Sequence, residues 1–372
     1  MEVDLHAVER NAQRLAARAG VPLIAMLKAD AYGVGAVECA HVLQHAANIW
    51  ALGVATVAEG RVLRDAGITA RLFCCTPVLQ EELLSMHRLT ITPSLFRESD
   101  ILAWNAIGDG VKRAPWHLLI DTGLNRAGVQ WNDAASLRAL VAQFPPEGAF
   151  THFYASELHE SSRALQESRF ALALRACDVL RVNPAVLLHT DNSLGIAARA
   201  RSPYHLARPG IALHGWPASS DIGLEPVVTL RARVVDVRLV PSGESVSYGA
   251  TWIAQTDSRV ATISIGYADG YRRAFSNTAS VVINGTRCPV VGTVTMDMIM
   301  ADVSTVHCEV GDTATLIGLT AHDGITLEQV ALAGDISPYE LLVGLKLRLE
   351  RVYMGQKRAE LLADADDTEP LT

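Results

Sequence analysis

At 372 residues, 49% hydrophobic and 19% charged, the chain has an ordinary globular composition and enough length for one large barrel or two domains. A formal net charge of −8 speaks against a nucleic-acid or anionic-membrane partner, although a local arginine cluster still suits a small anion. No apolar run approaches the about eighteen residues of a membrane span, residues 1–6 carry no apolar signal segment, and six scattered cysteines without a Cys-x-x-Cys pair fit reduced thiols in the cytoplasm rather than a disulfide frame or a metal site.

Between residues 20 and 215, short apolar runs alternate with amphipathic stretches. Strands are predicted over 22–28, 49–55, 70–75, 89–94, 116–121, 147–153, 185–191 and 205–210, with helical patterns such as 57–66, 134–143 and 161–181 between them. Eight strand-then-helix units are the arithmetic of an α/β fold of the (β/α)8 barrel type. A doubly wound sheet is the competitor, since periodicity does not count strands around a closed cylinder. After Pro217 the pattern changes: residues 227–240 alternate with period two, and short strands are predicted at 259–267, 279–283, 288–291 and 313–317. Pro241-Ser-Gly243 and Asn284-Gly285 punctuate them. A mostly β domain, residues 224–372, is therefore expected to follow a barrel of residues 1–223. Residues 363–372 are acidic and polar and read as a frayed tail.

In a barrel, reactive groups sit at the C-terminal ends of strands. Lys28, Asp121, His152, His189 and Arg208 fall at or just after such ends and are expected to converge on one mouth. A lone strand-end lysine is usually a solvated side chain, but five polar groups at equivalent ends are harder to dismiss. Lys28 closes an apolar run and precedes a glycine-rich turn, where a half-desolvated amine is a competent Schiff-base former. That turn, Gly33-Val-Gly35, lacks the third glycine of a dinucleotide fingerprint, which argues against NAD. Tyr248 stands in the tight turn Ser247-Tyr-Gly-Ala250, from which a phenol can project without crowding; the ordinary alternative is a hydrogen-bonded core tyrosine. An amine and a phenol on opposite sides of one carbon suit a two-base proton exchange.

The segments Met26–Gly35, Asp121-Thr-Gly-Leu-Asn-Arg126-Ala-Gly128, Thr151-His152-Phe153, Asn192-Ser193, Ala207-Arg208-Pro-Gly210-Ile211, Val246-Ser-Tyr248-Gly-Ala-Thr251, Gly266-Tyr267-Ala-Asp-Gly270 and Thr295-Met296-Asp297 run in this order over nearly the whole chain. Together they resemble the motifs of alanine racemase, the fold-type III family that uses pyridoxal 5'-phosphate (PLP). The resemblance implies a homodimer with shared active sites that interconverts L- and D-alanine and supplies D-alanine for the peptidoglycan of the cell wall. It implies that Lys28 binds PLP and serves as one base, with Tyr248 of the partner subunit as the other. It gives Tyr32, Asn192, Ser193, Gly210 and Ile211 to the phosphate, through a phenol and through N–H groups at helix openings. His152 and Arg208 complete the cofactor set. Arg208 would face the pyridine nitrogen, and because a guanidinium does not readily give up its proton, the ring would stay a poor electron sink and favour simple proton return. His189 would fix Arg208, and His152 would link that network to the phenol of Tyr248, which needs cationic help to act as a base near neutrality. Arg126 and the backbone of Met296 are implied as contacts to the substrate carboxylate, Tyr267 as a constriction of the entrance, and Asp297 as a support behind Met296. No metal is implied.

Two positions depart from the family. Where its motif reads His-x-Lys-x-Asp-Thr-Gly, this chain has His117-Leu-Leu119-Ile-Asp121, so no carbamylated lysine can orient Arg126 and Asn125 or a bound anion is expected to do so. The family tyrosine before Arg-Val-Pro-Arg is Leu347 here, which removes one phosphate contact and widens the pocket. The rivals are a serine or broad-specificity racemase on the same scaffold, a PLP decarboxylase, against which Arg208 speaks, and a non-catalytic PLP-binding protein, which would need neither Tyr248 nor the β domain.

Overall fold

The computed structural model describes residues 1–107, 114–155, 160–217, 221–318, 324–345 and 348–355; Leu347 and residues 363–372 lie outside the described residues. Each of the eight predicted runs of the first half carries a parallel segment: Leu23–Met26, Ile49–Val54, Leu72–Cys74, Ile91–Thr92 with Ser94–Leu95, His117–Asp121, Gly148–Phe150, Leu187–Asn192 and Leu206–Arg208. They hydrogen-bond in chain order, and the last returns to the first through Ala207 and Leu23. Pro93 splits the fourth run because it has no N–H to give a ladder. Ile91 and Thr92 pair with Leu72 and Phe73, whereas Ser94 and Leu95 pair with His117 and Leu118. One five-residue segment thus joins both ends of the sheet, and the result is a barrel rather than an open doubly wound sheet. Leu23–Met26 and Leu72–Cys74 are buried at every position, as expected for parallel strands covered on both faces.

Helix Leu5–Ala19 precedes the first barrel strand. Asp4 caps it by accepting from the Ala7 N–H at 3.0 Å, Gly20 ends it at φ +67°, and Leu5, Val8, Ala12, Leu15 and Ala19 bury one face at helical spacing. Its buried Asn11 donates to the carbonyls of Leu213 and Glu225 at 3.1 and 2.7 Å, and accepts from the Glu225 N–H. This helix therefore ties the end of the barrel to the segment that leaves it.

The chain passes from the first sheet to the second between Arg208 and Val228. Val228–Val240 is the spine of the second sheet, antiparallel to Ser258–Ile263 and Thr313–Ile317. Ser280–Ile283 and Thr286–Pro289 form a hairpin on Asn284-Gly285, both at positive φ (48° and 76°), the two-residue turn that matches strand twist. Glu2–Asp4, Ile299–Asp302 and Val352–Met354 are strands that periodicity does not announce, being three or four residues long. Glu2–Asp4 lies between the spine and Val352–Met354, so the N-terminus belongs to the second sheet. No helix among the described residues is long and apolar enough to cross a membrane.

Candidate active site

A cavity of about 330 Å³ opens at the C-terminal ends of the barrel strands, lined by Lys28, Tyr32, Arg126, His152, Asn192, Ser193, Arg208 and Gly210 among others. Lys28 stands two residues past the end of the first strand, after Leu27, and is half-buried. The chain then makes a left-handed turn, with Ala29, Asp30, Ala31 and Tyr32 at φ of 53°, 56°, 51° and 60°. Such a run costs about 1–2 kcal/mol per non-glycine residue and persists only where its surroundings impose it. Here they do. Glu59 accepts from the N–H groups of Ala29 and Ala55 at 2.8 and 2.7 Å. Asp30 accepts from Ala36 N–H at 2.8 Å and from Arg351 Nη1 at 2.6 Å, and the Tyr353 hydroxyl donates to the Val34 carbonyl at 3.1 Å. The turn brings the Tyr32 ring back to the cavity, where a Cβ on Gly210 would stand 2.0 Å from its hydroxyl. Burial pushes the Tyr32 phenol well up, so it stays protonated.

Asn192 caps the short helix Ser193–Ala197 by accepting from the Gly195 N–H at 2.9 Å. Ser193 Oγ accepts from the N–H groups of Gly210 and Ala212 at 2.9 and 3.3 Å, joining the ends of the seventh and eighth strands. Ile211 is fully buried and outside the residues that line the cavity.

Arg208 is buried and held by three hydrogen bonds. Nη1 donates to His189 Nδ1 at 2.7 Å, and Nη2 donates to the carbonyls of Thr151 and Thr190 at 2.8 and 3.0 Å. Burial lowers its guanidinium to about 10, still charged at neutrality. His189 does not sit at a strand end, as expected from the sequence, but in the middle of Leu187–Asn192, inside the barrel beneath Arg208. His152 is half-buried at the mouth; burial, then the charges of Arg208, Arg126 and Lys28, lower its imidazole to about 3, so it is neutral. Asp121 points at its own loop, accepting from the N–H groups of Gly123 and Asn125 at 2.9 and 3.1 Å. Cys75 and Tyr339 also line the cavity. Cys75 follows a strand end as Lys28 does, so that signal was available; Tyr339 arrives on helix Pro338–Gly344 from the second half of the chain, where no local pattern marks it.

The other sequence-predicted residues lie elsewhere on the chain. Tyr248, Met296 and Tyr267 are 74%, 52% and 40% exposed and do not line the cavity. They share one platform of the second domain: Thr293 Oγ1 donates to the Tyr248 carbonyl at 2.8 Å, and the N–H groups of Tyr267 and Ala268 donate to the carbonyls of Thr295 and Met296 at 3.0 Å each. Asp297 accepts from Arg348 Nη2 at 2.7 Å, and Arg348 Nε donates to Asp269 at 2.8 Å, which locks the Met296 turn to the Tyr267 turn.

Residues 3–217 match the family model described as alanine racemase, N-terminal domain, and residues 227–353 the one described as alanine racemase, C-terminal domain. The chain belongs to the alanine racemase family. The alanine racemase of Symbiobacterium thermophilum is 36% identical over 366 residues, covering 95% of this chain and 97% of its own. The structure of alanine racemase from Streptomyces lavendulae, a D-cycloserine producer, superposes with a TM-score of 0.86 at 31% identity over 95% of this chain and 96% of that one. The Bartonella henselae alanine racemase, which carries covalently bound pyridoxal phosphate, superposes with a TM-score of 0.82 at 29% identity over 95% and 98% of the two chains. Membership makes this chain an amino-acid racemase, an isomerase. Against the rest of the alanine racemase pattern, Leu119 lines the cavity beside an exposed Arg126. No hydrogen bond joins Asn125 to Arg126 among the described residues; the Asn125 amide donates to the Gly123 carbonyl at 3.3 Å.

Proposed function

We propose that the protein is a cytoplasmic, PLP-dependent, homodimeric alanine racemase that works by two bases, Lys28 and Tyr248 of the partner subunit, and supplies D-alanine for cell-wall synthesis. The observation that carries this reading is the separation of the two groups: Lys28 at the barrel mouth, Tyr248 exposed on a rigid platform of the other domain. A phenol so presented, outside the lining of its own chain's cavity, suits a cavity on a second copy of the chain, and a symmetric dimer would give each mouth one platform.

The residues at the mouth fit PLP. An amine stands at one end, a buried cation that only donates at the other, and the Gly210 backbone is bare enough to admit the Tyr32 hydroxyl. Lys28 would hold the aldehyde carbon, Tyr32 with Asn192, Ser193, Gly210 and Ile211 the phosphate, and Arg208 the ring nitrogen. When bound, PLP supplies a sink for the electron pair left at Cα when its proton departs. Lys28 Nζ moves that proton on the D side and the Tyr248 phenol on the L side. Neutral His152 offers the phenol a hydrogen-bond partner without adding charge, while Arg126 and the Met296 turn hold the substrate carboxylate and Tyr267 narrows the way in. Arg208, charged and bonded on three sides, keeps its proton, which favours reprotonation over side reactions.

Chiral analysis of a panel of amino acids incubated with the PLP-loaded protein tests the assignment. Alanine is expected to have the highest kcat/KM; a higher value for serine would replace alanine as the substrate. The strained turn gives a further expectation. Arg351→Ala removes a partly exposed ion pair that clamps Asp30, worth about 1 kcal/mol, so PLP should bind about fivefold more loosely in a fluorescence titration. Unchanged affinity would mean that Glu59 and Tyr353 suffice to hold the turn.

A further inference from the structure

A buried polar chain leads from Arg208 through the barrel, away from the cavity. Arg208 Nη1 lies 2.7 Å from His189 Nδ1, and His189 Nε2 lies 2.8 Å from His117 Nδ1. His117 Nε2 faces Glu147 Oε2 in a longer contact of 3.4 Å, and the Glu147 carboxylate accepts from Arg71 Nη1 at 2.7 and 2.6 Å. The Arg208 end fixes the direction of every bond, and the Glu147 end agrees with it. A guanidinium only donates and a carboxylate only accepts. His189 Nδ1 must therefore accept from Arg208, which leaves the ring proton on Nε2, aimed at His117 Nδ1. His117 in turn carries its proton on Nε2, facing Glu147. Only this pair of neutral tautomers satisfies all the contacts, and burial lowers both imidazoles, keeping them neutral.

The barrel interior is shaped around this chain. His189 stacks on Phe150 with centroids 4.8 Å apart, and His117 packs against Phe73 and Trp50 at 4.9 and 5.5 Å. Gly148 leaves the space for His117, since a Cβ there would stand 2.4 Å from the imidazole. The buried His117 Nε2 makes no hydrogen bond among the described residues, and the Glu147 carboxylate stands 3.4 Å away. Glu147 and Arg71 precede the sixth and third strands, at the face of the barrel opposite the mouth, and both are partly exposed there.

We propose that Glu147 is a positioning residue for Arg208, acting across the barrel through His117 and His189 to hold the guanidinium as a charged donor in one orientation. The proposal rests on the reading of Arg208 as the residue that faces the PLP ring nitrogen. Chains of hydrogen bonds polarise one another in a low dielectric, so the carboxylate charge at the far face strengthens the acceptor that Arg208 meets. Glu147→Gln tests it with little change of volume. The direction set by Arg208 remains, since a Gln oxygen can still face the His117 N–H, but the charge that polarises the chain is gone and His189 Nδ1 becomes a weaker acceptor for Arg208.

In the full-length protein, 15N NMR of labelled histidines should show His117 and His189 as neutral Nε2–H tautomers in both wild type and Gln variant, with the His189 Nδ1 resonance of the variant moved toward that of a nitrogen accepting a weaker hydrogen bond. With PLP loaded, kcat for alanine should fall about tenfold, with KM within about twofold. Glu147→Asp, which keeps the carboxylate, should restore the resonance and most of kcat. An unshifted His189 Nδ1 resonance in the Gln variant overturns the proposal even if activity falls, because the loss would then be one of packing; so does a shifted resonance with unchanged kcat. If the wild type neither binds PLP nor racemises alanine, the functional reading fails instead, and the resonance alone still decides whether Glu147 polarises the two histidines.

Discussion

Lys28→Ala is expected to abolish racemisation and the visible absorbance of bound PLP together. Among the described residues the lysine stands alone at the mouth in having an amine, half-buried, just past the end of a barrel strand and ahead of a turn that brings a protonated phenol alongside it. It has two tasks in the proposed reaction, covalent attachment and proton transfer on one face of Cα. A positioned acid–base group alone contributes about 10²–10⁴ in rate, and losing the covalent link removes the cofactor's anchorage as well, so the residual activity should fall below detection. Borohydride reduction of the variant incubated with PLP should leave no cofactor on the protein. A reducible link that survives the substitution would move the attachment to another lysine.

The second large effect concerns Tyr248. Tyr248→Phe should slow the conversion of L-alanine by about 10²–10⁴, while hydrogen exchange at Cα of D-alanine, which depends on Lys28, stays measurable. Its exposure at 74% makes a folding defect a poor explanation for such a loss, since few contacts within its own chain are removed. Mixing Lys28→Ala with Tyr248→Phe subunits separates the trans arrangement from a cis one. If Tyr248 serves the partner, a heterodimer has one mouth with both bases intact and one with neither. Random reassortment would then restore about a quarter of wild-type activity, half the dimers being mixed and each carrying one good site of two. If both bases came from one chain, no pairing of these variants could recover any.

How much of this was legible in the sequence depended on whether the signal was local. Each barrel strand is an apolar run bounded by polar or turn residues, so all eight runs could be marked, and the residues just past the strand ends gave Lys28, His152 and Arg208. Closure was not local: it depends on Pro93 dividing one run between two neighbours. The same limit hid the interior. His117 and His189 lie within strands, and Glu147 just before one, so their meeting is visible only once the cylinder is formed. Glu2–Asp4 is too short to show a period and takes its conformation from the strands on either side. The left-handed turn after Lys28 runs against the intrinsic preference of Ala, Asp and Tyr; it is imposed by Glu59, Arg351 and Tyr353, two of which lie more than 300 positions away.

The most direct test of two-base alanine racemisation is one incubation of PLP-loaded protein with L-alanine in D2O, followed by chiral separation and mass analysis at early times. Tyr248 should remove the protium from one face and Lys28, exchanged with solvent, should return deuterium to the other. The first D-alanine formed is therefore expected to carry deuterium at Cα while the remaining L-alanine stays protiated, with the two enantiomers approaching equal amounts at long times. D-alanine that retains the substrate's protium, or no D-alanine from protein that holds PLP, would contradict it.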